Sequence, residues 1–322
     1  MDFNQTSQKI HNQILRAKEI LIISHNQPDA DAFGSMIAMG HWLDALEKKH
    51  HKLAYQPLPE NLGWLTDYRP VFIDALDEKN KYDLIIVLDS SDLIRSKTNQ
   101  IISLLETRPL IINIDHHHAN DLFGDLNLVL PDASSTTEVI YRLLKSINFS
   151  LNRHIANALL AGMLGDTYNF TNANTKEQAM IMASNLLFFG ASLNQASDSL
   201  LKIKSLDSMI VWGEILKRIK YNSNLGIASA LILQEDIKPG VSETEISEGI
   251  ANFLNSLDGV KALLLLHQQT NGLIKGSLRT NDDLIDVSKL AKILGGGGHK
   301  KASGFTLQGQ LVQTEQGSWK II

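Results

Sequence analysis

Cysteine is absent from the 322 residues. That excludes disulfides, thiolate zinc sites and a cysteine nucleophile together, and it suits a reducing cytoplasm. No apolar run approaches the ~18 to 20 residues that a spanning helix needs, and the opening MDFNQTSQKI has no basic stretch followed by an apolar one. The expectation is a cytoplasmic protein, neither exported nor anchored in a membrane by its own sequence. An excess of positive charge is missing too. Lys and Arg number 30 against 35 Asp and Glu, a net charge of -5, so the chain lacks the field of a general nucleic-acid coat protein. Any nucleic-acid contact must be local, and residues 251–322, with 8 basic against 5 acidic residues, are the electropositive part. Low-complexity sequence is confined to the glycine run 295–298. With 43% hydrophobic residues, the chain suits one large or two ordinary domains with a buried core.

Short, nearly unbroken apolar runs at 20–23, 84–88 and 110–114 read as strands buried on both faces of a parallel sheet. Amphipathic segments lie between and after them: 33–46 behind Asp31, and 136–147 behind Ser134 and Ser135, each with a polar cap. This is the α/β, doubly wound pattern. Residues 185–219 read as helical. Beyond them come strands at 227–233, 262–268 and 273–278 and helices at 243–257 and 286–294, a smaller α/β unit. The division expected is a catalytic domain over 1–195, a helical linker over 196–222 and a second domain over 223–322.

Aspartate and histidine collect just beyond the apolar segments. His25, Asp29 and Asp31 follow the first strand, Asp89 the second, Asp115-His116-His117-His118 the third, and Gly165-Asp166-Thr167 the apolar helix 155–164. Taken singly, each has an ordinary explanation as a helix cap, a turn or a solvated loop. Together they are different, because the C-terminal ends of parallel strands share one edge, where ligands bind. Packed carboxylates repel unless cations neutralise them. Asp29, Asp31, Asp89 and Asp166 bring four negative charges, the balance of two divalent ions. Oxygen and imidazole donors without sulfur favour Mn²⁺, with Mg²⁺ or Co²⁺ as alternatives.

The motifs resemble those of the DHH phosphoesterases, whose triplet stands here as Asp115-His116-His117. His25-x-x-x-Asp29-x-Asp31 resembles the first family motif, Asp89 the second and Asp166 the fourth. Gly276-Ser277-Leu278-Arg279 and Gly295-Gly296-Gly297-Gly298-His299-Lys300-Lys301 resemble the DHHA1 substrate domain. The resemblance implies one metal held by His25, Asp29 and Asp89 and another by Asp31, Asp89, His116 and Asp166, with Asp89 bridging. It casts Asp115 and His117 as the catalytic pair, Asp115 orienting a metal-bound imidazole and His117 facing the substrate. Ser277, Arg279, Gly296, Gly297, Gly298 and His299 would bind a substrate phosphate, with Lys300 and Lys301 facing solvent. A chain of this length is similar to the group that hydrolyses short oligonucleotides, linear dinucleotides and 3′-phosphoadenosine 5′-phosphate. Cyclic-di-AMP hydrolysis is the alternative, and a pyrophosphatase or an inactive nucleotide-binding regulator stands further off. The implied partners are short RNA or DNA oligonucleotides or a mononucleotide bisphosphate, with no membrane, and a homodimer as the assembly. One departure is visible: the family commonly has a glycine or two after Gly-Asp-Thr, where this chain has Tyr168 and Asn169.

Overall fold

A computed structural model describes residues 2–65, 70–72, 81–172, 175–201, 206–238, 243–314 and 318–322. Two compact units divide the chain, Met1–Ile203 and Lys204–Ile322.

In the first unit, β1 (Glu19–Ile23), β2 (Lys49–Ala54), β3 (Pro70–Phe72), β4 (Leu84–Leu88), β5 (Leu110–Asp115) and β6 (Leu126–Val129) pair in the order β3-β2-β1-β4-β5-β6, parallel throughout. Side chains alternate along a strand, so Ile20, Ile22, Ile86 and Ile112 enter one core and Leu21, Ile23, Ile85 and Ile111 another. Helices α1 (Phe3–Arg16), α2 (Ala30–Ala45), α4 (Thr136–Ser146) and α5 (Arg153–Asp166) supply the first core, and Ile101 of α3 (Thr98–Leu104) joins the second. Both faces are therefore covered, as the unbroken apolar runs require. Strand order reverses between β1 and β4, which places the switch point of the sheet between the ends of those strands.

The single helical stretch expected over 185–219 is three helices: α6 (Glu177–Phe188), α7 (Leu193–Leu201) and α8 (Leu206–Lys217). Gly190 at φ +88° takes the left-handed conformation that ends α6. The segment expected as a linker is shared between the units. Ala196 of α7 is buried in the core of the first, while Val211, Trp212 and Ile215 of α8 are buried in that of the second.

The second unit contains β7 (Lys220–Asn222), β8 (Ile227–Ile232), α9 (Glu243–Leu254), β9 (Ala262–Gln268), β10 (Leu273–Arg279), α10 (Val287–Ile293), β11 (Gly297–Gly298) and β12 (Ala302–Gln308). Its sheet runs β11-β12-β10-β9-β8-β7, and only β8 and β9 pair in parallel. A separate hairpin joins β13 (Leu311–Gln313) to β14 (Trp319–Ile321). Helices α8 and α9 pack on Leu263 and Leu265, and α10 packs on the other face against Leu278 and Phe305. Phe305 stands opposite Gly276 in register, and a Cβ on Gly276 would lie 2.1 to 2.5 Å from its ring. Among the described residues no helix is long and apolar enough to cross a membrane.

The ring over Gly276 leads to a stability prediction. Gly276→Ala should cost about 1 to 3 kcal/mol through overpacking, measured by denaturant unfolding; unchanged stability would show that the ring moves aside freely.

Candidate metal centre

Strands β1, β4 and β5 end at one edge, and the acidic and imidazole side chains follow from there. Asp29 is the N-cap of α2, its Oδ1 accepting from the N–H groups of Asp31 (3.0 Å) and Ala32 (3.1 Å). Asp31, in the first turn of α2 and 1% exposed, points at the start of α4. Its Oδ2 accepts from the Thr136 N–H at 2.6 Å, and its Oδ1 from the Thr137 N–H at 3.0 Å and Thr137 Oγ1 at 2.8 Å. A helix N-terminus is where free N–H groups and the helix dipole favour an anion.

Asp89 follows β4 directly and is buried, with φ +55°. Aspartate tolerates this left-handed conformation better than most residues, and such strain is found where the surroundings hold it. Its two oxygens face different imidazoles: Oδ2 lies 3.4 Å from His25 Nε2, and Oδ1 lies 3.8 Å from His116 Nε2 and 3.7 Å from His117 Nδ1. Thr136 Oγ1 donates to Oδ1 at 3.0 Å. His116 Nε2 approaches Asp166 Oδ2 at 3.1 Å, and its Nδ1 faces the Ala133 carbonyl at 3.4 Å. A carbonyl only accepts, so Nδ1 carries a proton, and Nε2 is the ring atom turned toward Asp89 and Asp166. Among the described residues three groups of donor atoms result, each within 4.8 Å: His25, Asp29 and Asp89; Asp31, His116 and Asp166; and Asp89, Asp115, His116 and His117.

The DHH carboxylate works differently from the expectation. Asp115 Oδ1 accepts from the His116 backbone N–H and from His117 Nδ1, both at 2.8 Å. It thus orients His117, while His116 is oriented by Ala133. His118 is exposed and belongs to none of the three groups.

Electrostatics mark the same place. Burial, then the charges of Asp89 and Asp29, push the Asp31 carboxyl well above its ordinary range. Burial, then Asp31, Asp29 and Asp89, do the same to Asp166. Burial opposes ionisation of Asp89 as well, but the hydrogen bond to His25 and the neighbouring His116 and His117 hold it low. Burial works against a charge on His117, yet the hydrogen bond and charge of Asp115, with Asp89, push it up to about 9.

Beyond Asp166, Tyr168, Asn169 and Phe170 all have positive φ, at 48°, 57° and 63°. Such a conformation costs roughly 1 to 2 kcal/mol per residue outside glycine, which accounts for the glycine that the family motif carries here. Phe170 N–H donates to Thr167 Oγ1 (3.2 Å) and Asn172 Nδ2 to the Asp166 carbonyl (2.7 Å), holding the turn.

The expected phosphate-binding residues lie in the second unit. Ser277, Gly304 and Gly297 align across β10, β12 and β11, and open space surrounds Gly297 where a Cβ would be. Gly295 (φ +77°) and Gly296 close α10 instead: their N–H groups donate to the carbonyls of Lys292 (3.1 Å) and Ala291 (2.8 Å), the Schellman arrangement. The Gly296 N–H is therefore spent within the fold. Gly298 and His299 are exposed. Arg279 Nη1 donates to the Leu278 carbonyl at 3.2 Å. Lys301, expected in solvent, pairs with Asp283 at 2.6 Å.

The family model for the DHH family, N-terminal domain, matches residues 19–163, and that for the DHHA1 domain matches 227–316. The chain belongs to the DHH phosphoesterases. This DHH phosphoesterase is a metal-dependent hydrolase. It is 28% identical over 309 residues to a bifunctional oligoribonuclease and PAP phosphatase, NrnA, of Thermus thermophilus, covering 92% of this chain and 87% of that protein. It is 30% identical over 290 residues to an uncharacterized protein of Mycoplasma genitalium, MG371, covering 88% and 85%. Among solved structures, an exopolyphosphatase-related protein from Bacteroides fragilis superposes with a TM-score of 0.84 at 26% identity, covering 95% of this chain and 92% of that one.

Three residues that shape the centre went unread in the sequence. Thr136 and Thr137 look like ordinary helix-start residues, yet they hold Asp31 and Asp89. Gly162, one turn before Asp166, leaves the room they need: a Cβ there would lie 2.8 Å from Asp31 Oδ1 and 2.5 Å from Thr137 Cγ2. Gly162→Ala is expected to lower hydrolytic activity at least about tenfold, the scale of disturbed ligand support, with helical content by circular dichroism unchanged. Full activity would show that Asp31 has slack.

Proposed function

We propose that this chain hydrolyses short oligonucleotides, linear dinucleotides and 3′-phosphoadenosine 5′-phosphate in the cytoplasm, using two divalent ions, Mn²⁺ by preference. The observation that carries the reading is Asp89, whose two oxygens face His25 on one side and His116 on the other. A buried carboxylate between two donor sets is what a bridging ligand requires. His25, Asp29 and Asp89 would hold one ion; Asp31, Asp89, His116 and Asp166 would hold the other. The raised carboxyls of Asp31 and Asp166 support the fit, because packed carboxylates call for a cation. The donor set, carboxylate and imidazole without sulfur, suits manganese. When bound, such a pair of ions supplies an activated water and positive charge at the phosphorus.

The remaining roles fall to the chain. Thr136, Thr137 and the start of α4 keep Asp31 aimed. His117, with Nδ1 committed to Asp115, presents Nε2 to the reacting group. The hydrogen bond and charge of Asp115 favour a proton on this ring, so Nε2 can carry one and donate it to a phosphoryl or leaving oxygen. Arg279 binds a phosphate that is not attacked, as a guanidinium does well. Ser277, the exposed backbone of Gly297 and Gly298, and His299 complete that subsite; Gly296 serves it only by shaping the run. The choice of substrates rests on the NrnA relative, named as an oligoribonuclease and PAP phosphatase, and on the DHHA1 match over 227–316.

A panel of pAp, pApA, a five-nucleotide RNA, cyclic di-AMP and pyrophosphate, assayed with Mn²⁺ for wild type and Arg279→Ala, tests this. Hydrolysis of pAp and the linear RNAs is expected, abolished by chelator, with KM for pApA raised several-fold in the variant. Pyrophosphate as the best substrate, or full turnover in excess chelator, would overturn the reading.

A further inference from the structure

Beneath the DHH carboxylate lies a set of one buried and two half-buried amides that the proposed mechanism leaves unused. Asn113, Asn120 and Asn127 recur at intervals of seven residues, and Asn113 sits fully buried in the middle of β5, where an amide is costly unless every polar atom is satisfied. Asn113 Nδ2 donates to Asn120 Oδ1 (2.8 Å) and to Asn127 Oδ1 (2.9 Å). Asn127 in turn grips Gly124 through its N–H (3.0 Å) and its carbonyl (2.7 Å).

Asn120 is the member that reaches the centre. Its Nδ2 donates to Asp115 Oδ2 at 2.6 Å, to the Ser90 carbonyl at 3.1 Å and to Asn113 Oδ1 at 3.3 Å. Its Oδ1 accepts from the Leu122 backbone N–H at 2.8 Å. A backbone N–H can only donate, so the amide has one orientation, with its nitrogen against Asp115. The two oxygens of Asp115 are thereby divided: Oδ1 serves His117 Nδ1 and the His116 N–H, and Oδ2 serves Asn120.

We infer that Asn120 is a positioning residue that acts through Asp115 to hold the His117 ring, an inference that rests on the role proposed for His117. A carboxylate restrained at one oxygen alone can rotate about its Cβ–Cγ bond, and the imidazole hydrogen-bonded to it would turn with it. Held at both oxygens, Asp115 keeps His117 Nε2 aimed in one direction. The amide is required for its chemistry as well as its size, because a group at position 120 must donate to a carboxylate while accepting from Leu122.

The experiment is a double-mutant cycle on pApA hydrolysis at saturating Mn²⁺, with kcat and KM measured for Asn120→Ala, His117→Ala and the pair. Asn120→Ala should lower kcat by about 10- to 100-fold, as loss of an outer partner commonly does, with KM changed less than about twofold. In the His117→Ala background it should lower kcat no further, since residues acting as one unit are not additive. Asn120→Asp, close in shape, sets a second carboxylate against Asp115 and should lose as much as Asn120→Ala, with thermal unfolding read alongside to verify the fold. If His117→Ala retains full kcat, the role of His117 is wrong and the inference falls with it. If His117→Ala is impaired but both Asn120 variants are not, or if the losses multiply in the pair, Asn120 does not act through His117 and the inference alone is overturned.

Discussion

The structure turns on the mutual repulsion of carboxylates brought to one sheet edge. Asp29, Asp31, Asp89 and Asp166 gather around the switch point between β1 and β4, and burial makes their crowding costlier. The fold answers with several kinds of partner. Helix N-termini receive Asp29 and Asp31, imidazoles surround Asp89, and the hydroxyls of Thr136 and Thr137 donate to Asp89 and Asp31 respectively. None of these partners cancels the charge outright, and Asp31 and Asp166 remain strongly raised. A cation is the missing counterpart, so the preference for divalent metal is built into how the backbone is routed.

Close helix packing follows from the same demand. Asp31 reaches α4 because α2 and α5 approach nearly backbone to backbone: a Cβ on Gly34 would meet the Ala158 carbonyl at 2.5 Å, and one on Gly162 would meet Asp31 itself. The second unit uses glycine for two separate purposes. Gly295 and Gly296 end α10, whereas Gly297 lies open beside Ser277 and Gly304, so one run of four residues serves both a helix cap and a bare surface.

Much of this was legible in the sequence. Strand β4 coincides with the apolar run 84–88, β9 with 262–268, and the convergence of His25, Asp89 and Asp115 follows from parallel strands ending together. β2 was not legible: its sequence KHHKLA is polar over its first four residues, so pattern alone speaks for a loop, and pairing with β1 decides otherwise. The break between α6 and α7 was hidden because Gly190 acts through a positive φ that apolar periodicity does not register. Which imidazole Asp115 orients was not legible, because adjacency in sequence does not say which of two neighbouring rings turns back toward it. The positive φ angles of Tyr168, Asn169 and Phe170 were visible only as a missing glycine.

The central claim is that these carboxylates and imidazoles form one two-ion centre bridged by Asp89. Isothermal titration of metal-stripped protein with Mn²⁺ addresses it directly. Two ions should bind per wild-type chain, and Asp89→Ala should lose high-affinity binding of both, because one side chain faces both donor sets. A single ion bound by the wild type, or two bound with undiminished affinity by Asp89→Ala, would contradict the account.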